Sequence, residues 1–175
     1  TPSAEFNILV VEGTTVWQVI TALNALDILE GQVDELPPEG MLAPDQYEVA
    51  PGTDVETLVA RMLAAQAERL AKAWSNRVDG LPIETPEEAL ILASIVEKES
   101  GAAHERPLIA AVFLNRMERG MKLQTDPTVI YGIEDFDGNL KRIHLEDPSN
   151  PYNTYAIRGL PPGPIASAGR DALRA

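Results

Sequence analysis

Phe6 to Val11 is an apolar, β-rich run closed by Gly13-Thr14, after which Val16, Val19, Ile20 and Leu23 recur at the spacing of one helix face. The pattern predicts a strand, a turn and an amphipathic helix. A unit of the same form follows thirty-nine positions later: Gly52, Thr53 and Val55 answer Gly13, Thr14 and Val16, and Leu58 with Val59 answers Val19 with Ile20. Any strand-Gly-Thr-helix junction has this outline, so duplication and coincidence both fit. The second copy carries Thr53-Asp54-Val55-Glu56, which predicts a capping box with Thr53 as the cap. Between the units, Leu36 to Ala50 is rich in Pro and Gly and reads as loop.

Thr85-Pro86-Glu87-Glu88 is the clearest helix start: Thr85 caps, Pro86 takes the first helical position and Glu88 closes the box. Gly101 supplies a stop. A second helix is expected from Pro107 to Glu118, ending at Gly120. Beyond it the periodicity gives way to turn pairs such as Asp126-Pro127, Asp147-Pro148 and Asn150-Pro151, and to Gly159-Leu160-Pro161-Pro162-Gly163-Pro164. Tyr131, Tyr152, Asn153 and Tyr155 are interleaved with these turns, an arrangement suited to a binding surface.

On the first of these two helices the stripe Leu92, Ile95, Val96 continues, seven positions after Leu92, to Glu99, whereas Glu97 and Lys98 are expected to face solvent. Glu99 is thereby placed partly buried, in the last turn, where the helix dipole presents negative charge. Both effects raise a carboxyl's pKa and suit a general acid working near neutral pH. A carboxylate reaching past the stripe to water, or pairing with Arg116, would leave the same pattern. On the second helix Leu108, Ala111 and Val112 place Asn115 on their own face, where an amide must be hydrogen-bonded or open to a site. By pattern alone, Glu105 complements its helix N-terminus and Asp126 builds the turn before Pro127.

Composition narrows the chemistry. The absence of cysteine among 175 residues excludes disulfide scaffolds, thiolate metal sites and cysteine nucleophiles, and two histidines leave little for an imidazole-rich metal centre. The net charge of −13 argues against a nucleic-acid partner. All of that excess lies in residues 1–100, with 18 acidic against 5 basic residues; residues 101–175 hold 9 of each and can meet an anionic ligand without repulsion. No apolar run is long enough to span a membrane. The chain starts without methionine and is expected to be an excised piece of a longer protein.

Several strings carry a resemblance. Leu92-Ala93-Ser94-Ile95-Val96-Glu97-Lys98-Glu99, Glu105-Arg106, Phe113-Leu114-Asn115-Arg116 and Leu123-Gln124-Thr125-Asp126-Pro127-Thr128-Val129-Ile130-Tyr131-Gly132 come first, followed by Tyr152-Asn153-Thr154-Tyr155 and Gly159-Leu160-Pro161-Pro162-Gly163-Pro164-Ile165. Over residues 85 to 170 this order closely resembles the bacterial endolytic murein transglycosylases of the MltG (YceG-like) family. Upstream, Phe6 to Gly13, Glu39-Gly40 and Pro44-Asp45-Gln46-Tyr47 match in outline, with Ala43 and Gln46 standing where an aromatic and a threonine are usual. Three pairs, Glu99-Ser100, Leu123-Gln124 and Tyr152-Asn153, also echo goose-lysozyme-like transglycosylases.

The resemblance implies an α+β fold, helices packed on small, mostly antiparallel strands. Residues 1–50 would be a strand-helix subregion joining an absent LysM-like module, and 51–175 the transglycosylase domain, truncated at its C-terminal end. Glu99 would be the catalytic acid and base, donating to the oxygen between MurNAc and GlcNAc and then taking the proton of the MurNAc 6-hydroxyl to leave a 1,6-anhydro end. Ser100, Asn115, Arg116, Gln124, Thr125, Asp126, Tyr152, Asn153 and Tyr155 would bind substrate, with Arg116 or Lys122 meeting peptide-stem carboxylates. No metal or cofactor is implied. The implied partners are peptidoglycan glycan strands, with peptidoglycan synthases of the penicillin-binding class as further candidates. The implied location is the periplasmic, extracytoplasmic face of the inner membrane, held by an N-terminal anchor outside this sequence.

Two other readings compete. A non-catalytic glycan-binding domain would keep the tyrosines but has no use for an acid on an apolar stripe. A pyridoxal-phosphate-dependent aminodeoxychorismate lyase, a label such sequences have carried, needs a Schiff-base lysine in a phosphate-binding fold. None of Lys72, Lys98, Lys122 and Lys141 lies in a Gly-rich cradle.

Overall fold

The computed structural model describes residues 5–175. Its elements are β1 (Phe6–Val10), α1 (Val16–Asn24), β2 (Leu29–Glu30), β3 (Asp45–Val49), β4 (Thr53–Asp54), α2 (Val55–Ser75), α3 (Pro86–Glu99), α4 (Arg106–Glu118), α5 (Asp126–Tyr131), α6 (Arg142–Glu146) and α7 (Arg170–Arg174). β1 pairs antiparallel with β3, Phe6 opposite Val49, and β2 pairs parallel with β4. The fold is α+β, with helices dominating two small sheets.

The thirty-nine-residue repeat extends to individual hydrogen bonds. The Thr14 hydroxyl donates to Val11 O at 2.7 Å and the Thr53 hydroxyl to Ala50 O at 2.6 Å. Thr15 caps α1 by accepting from Gln18 N, and its counterpart Asp54 caps α2 by accepting from Thr57 N. The cap of α2 is therefore Asp54 and not Thr53: the Thr53 hydroxyl is already committed to the preceding turn. Gly13 and Gly52 take φ of +84° and +82°, the left-handed conformation a glycine adopts without penalty.

Two cores form. The first joins Ile8 and Val10 of β1, Val16, Val19, Ile20 and Leu23 of α1, Tyr47 and Val49 of β3, and Val55, Leu58, Val59 and Met62 of α2. This packing runs past residue 50 without a division. The second gathers Ile91, Leu92, Ile95 and Val96 of α3 with Ala110, Phe113, Leu123, Ile165 and Ala172. Two devices tie the cores together. Gly13 N donates to Ser167 O and Ser167 N to Thr14 O, both at 2.8 Å. Gln66, fully buried on α2, donates from Nε2 to Gly40 O and Ala168 O, both at 3.1 Å.

Thr85 caps α3 through Glu88 N, but the Glu88 carboxylate reaches Glu84 N instead of closing the box on Thr85. Past Gly120 the chain is not all turns. Asp126-Pro127 opens α5, with Pro127 in the first turn where its missing N–H costs nothing, so Asp126 starts a helix.

Candidate active site

The C-terminal half of α3 corrects the stripe reading. Every residue from Leu90 to Glu97 is buried, while Lys98 and Glu99 are exposed. A helix enclosed on all sides has no single apolar stripe to extend, and the buried acid is Glu97, not Glu99. The Glu97 carboxyl is pushed up to about 7, first by burial and then by the neighbouring Glu12 carboxylate, with Arg106 opposing. Glu99 instead is exposed at the helix end, beside the segment from Leu123 to Asp126.

The segment from Leu123 to Asp126 is fixed by its hydrogen bonds. Arg116 donates from Nη1 to Leu123 O, and Gln124 N donates to Thr154 O at 3.2 Å, which fixes the segment on both sides. Gln124 adopts φ +53°, a strained conformation for a residue with a Cβ, and its side chain is exposed. The next residue, Thr125, is buried, and its hydroxyl donates to Glu99 Oε1 at 2.5 Å. Behind it the hydroxyls of Thr154 and Thr128 lie 2.9 Å apart; Thr154 Oγ1 accepts from Thr125 N and Thr128 Oγ1 donates to Thr125 O. Glu99 Oε1 is thus held by a buried hydroxyl network, and Oε2 has no protein hydrogen-bond partner among the described residues.

The Tyr155 hydroxyl donates to Asp126 Oδ1 at 2.6 Å. Its phenol is pushed up to about 12 by burial and by the Asp126 carboxylate, with Glu99 adding to the shift and Arg116 opposing it. Glu99, Arg116, Thr125, Asp126 and Tyr155 therefore share one electrostatic neighbourhood.

Other expected residues lie elsewhere. Asn115 does share a face with Leu108, Ala111 and Val112, but that face is outward: Leu108 is 71% exposed, and α4 buries Arg106, Ala110 and Phe113 instead. Ser100 turns its hydroxyl to Ala102 O and lines a cavity against Glu97 and Arg106. Asn153 is fully buried; its Nδ2 donates to the carbonyls of His144, Leu145 and Asp147 and its Oδ1 accepts from Tyr155 N. The amide's hydrogen bonds in this structure all tie down the loop.

Tyr152 stacks edge-on against Tyr131, centroids 4.8 Å apart, and burial with the Glu39 carboxylate raises both phenols. Glu39 is the acid that pattern reading missed. Its Oε2 accepts from Val16 N at 2.7 Å, capping α1 from a loop residue. The adjacent Gly40 packs so closely on the Gly159–Pro164 loop that a Cβ there would lie 2.5 Å from Pro164 Cβ. Its sequence signals are an acid beside a glycine in a proline-rich loop and the outline match of Glu39-Gly40 to the family. Ser94 anchors the same loop from below, accepting from Ile165 N at 3.0 Å. Among the described residues, no group of three or more His, Asp or Glu is arranged to hold a metal ion.

The YceG-like family model matches residues 1–175. An endolytic murein transglycosylase of Streptococcus pneumoniae serotype 2 (strain D39) is 37% identical over 142 residues, covering 77% of this chain and 25% of that protein. The endolytic murein transglycosylase of Bacillus subtilis (strain 168) is 36% identical over 140 residues, covering 79% of this chain and 38% of that protein. The chain thus spans well under half the length of these curated relatives. Among solved structures, a yceG-like protein from Listeria monocytogenes superposes with a TM-score of 0.72 at 28% identity, over 95% of this chain and 64% of that one. A family model matched end to end, with relatives at this identity over most of the chain, places the protein in the YceG-like family.

Proposed function

We propose that this chain carries the catalytic centre of an endolytic murein transglycosylase, with Glu99 as its single acid and base. The observation that carries the reading is the Thr125–Glu99 hydrogen bond: a buried hydroxyl fixes one carboxyl oxygen and leaves the other for proton transfer. Protonated Glu99 gives its proton to the oxygen linking MurNAc to GlcNAc as the bond from that oxygen to MurNAc C1 breaks. The carboxylate then accepts the proton of the MurNAc 6-hydroxyl, whose oxygen closes on C1 to form the 1,6-anhydro ring. No water is consumed. Hydrolysis normally uses a second carboxylate for water or for C1. Asp126, which shares the Tyr155 neighbour with Glu99, has its Oδ1 committed to accepting the Tyr155 hydroxyl. Gln124, exposed at a strained position, and the Tyr152 and Tyr155 rings supply polar and stacking contacts to sugar.

The substrate is the nascent peptidoglycan strand, the workplace the extracytoplasmic face of the inner membrane, and the consequence the end of strand elongation; strand-making synthases are the partners this implies. The names borne by the pneumococcal and Bacillus relatives support the same reading. Digestion of purified glycan strands in heavy-oxygen water, followed by mass spectrometry, tests it. Anhydro ends without label are expected. Label at the new MurNAc end would make the protein a hydrolase, and binding without cleavage a glycan-binding domain.

A further inference from the structure

Gln124 takes φ +53°, in the left-handed region where a Cβ is crowded and glycine or asparagine is the usual occupant. A glutamine stays there only when its surroundings hold it. Both peptide planes flanking its Cα are held. On the following side, Thr125 N donates to Thr154 Oγ1 at 3.0 Å. On the preceding side, Gln124 N donates to Thr154 O at 3.2 Å, and Leu123 O accepts from Arg116 Nη1. Thr154 serves both planes, whereas Arg116 reaches the first of them from α4.

The end of α4 puts that donor in place. Gly120, at φ +66°, donates from N to Met117 O at 3.0 Å, and Met121 N donates to Arg116 O at 2.8 Å, the paired bonds of a helix closed by a left-handed glycine. The reversal returns Leu123 to the last turn of α4, so Arg116 grips the outgoing chain twice, by its own carbonyl and by its guanidinium. The guanidinium carbon lies 6.0 Å from the centroid of the Phe113 ring, and Phe113 belongs to the second core. Among the described residues Arg116 has no carboxylate within ion-pair distance. This half-buried charge is spent on a backbone carbonyl, which a charged donor binds more strongly than a neutral one.

The strained residue adjoins the acid's partner: the Gln124 side chain is exposed, and the next hydroxyl, that of Thr125, donates to Glu99 Oε1. For Gln124 to relax to negative φ the Leu123–Gln124 plane must turn, and Leu123 O must leave Arg116. We propose that Arg116 is a positioning residue for Glu99: it holds the Leu123–Gln124 plane, keeps Gln124 left-handed, and so fixes where the Thr125 hydroxyl and the Gln124 side chain stand. The proposal rests on the transglycosylase reading for the reaction Glu99 performs. It gives Arg116 a task different from meeting a peptide-stem carboxylate, and experiment separates the two.

The test is a double-mutant cycle of urea midpoints with Arg116→Gln, Gln124→Gly and the two combined, run beside kinetics on purified glycan strands with and without their peptides. Glycine adopts φ +53° freely, so Gln124→Gly should raise the midpoint of the parent protein. In Arg116→Gln the plane is free and the strain already relieved, so the same change should raise the midpoint by less than about half as much. Arg116→Gln alone should lower kcat about tenfold with KM nearly unchanged, equally on both kinds of strand, and Arg116→Lys, which keeps a charged donor, should recover part of the loss. Equal midpoint gains from Gln124→Gly in the two backgrounds would overturn the proposal, because the strain would then not depend on Arg116. A loss confined to KM and to peptide-bearing strands would overturn it too, making Arg116 a reader of the peptide. Arg116→Met, which keeps an apolar stem against Phe113 and removes the donors, replaces Arg116→Gln in the cycle if the latter does not fold. The cycle needs no turnover: coupling in a protein that yields no anhydro ends would refute the transglycosylase reading and leave the clamp standing. Anhydro ends without coupling would do the reverse.

Discussion

Glu97 and Glu99, two positions apart at the end of α3, face opposite environments: Glu97 is buried against Arg106, and Glu99 is exposed with Oε1 on the Thr125 hydroxyl. The separation gives the two acids different work. Glu99→Gln should lower turnover of glycan strands by about 10²- to 10⁴-fold, the usual share of a general acid–base group, with little change in melting temperature. Glu97→Gln should retain cleavage. The opposite result, measured on anhydro-end formation in the two variants, would move the chemistry to the buried acid.

Glu97 should instead appear in the pH dependence of stability. Its folded-state pKa, about 7, lies above the ordinary value of 4.5, so between those pH values the folded protein binds more protons than the unfolded chain. The contribution of this group to stability is complete below pH 4.5 and declines as the pH rises toward 7. Thermal melts across that window should show Glu97→Gln gaining on the parent protein as pH increases. Parallel curves would mean that Glu12, Arg106 and Asp171 compensate its charge fully.

In the proposed mechanism Thr125 acts through Glu99, as a positioning residue. Thr125→Val keeps the shape but removes the donor, and should lower kcat about tenfold with KM nearly unchanged. Thr125→Ser should restore most of the loss. A variant in which serine fails as badly as valine would assign the methyl group, and hence packing, the main role.

Asn153→Ala should melt early. Three carbonyls, those of His144, Leu145 and Asp147, lose their shared donor in a fully buried place. The expected cost is about 2–3 kcal/mol, read from urea denaturation. Turnover per folded molecule should change little. Loss of turnover at unchanged stability would return Asn153 to the substrate-contacting side of the loop.

The parts of the fold legible in the sequence are those set by local chemistry. The repeat was visible because Gly13-Thr14 and Gly52-Thr53 build the same turn by the same hydroxyl bond, to Val11 O and to Ala50 O. The start of α3 was visible because Thr85 and Pro86 act within one turn. Burial on α3 and α4 was not, because it depends on what packs around them. α3 is surrounded, so stripe extension chose Glu99 over Glu97, and α4 turns its more apolar-looking face, Leu108 and Val112, outward. Asn153 and Glu39 escaped for a related reason: their partners, three loop carbonyls and the Val16 amide, are fixed only when distant segments meet.

The Gly13–Ser167 backbone clasp has a consequence for synthesis. A ribosome delivers the chain from its N-terminal side, and the first core is complete in sequence once Met62 has emerged. The clasp, and the Gln66 bond to Ala168, wait for Ser167 and Ala168. Until then the Gly40 side of the fold lacks the close contact with Pro164. The order of translation therefore presents the residues of the first core well before the segment that docks on it.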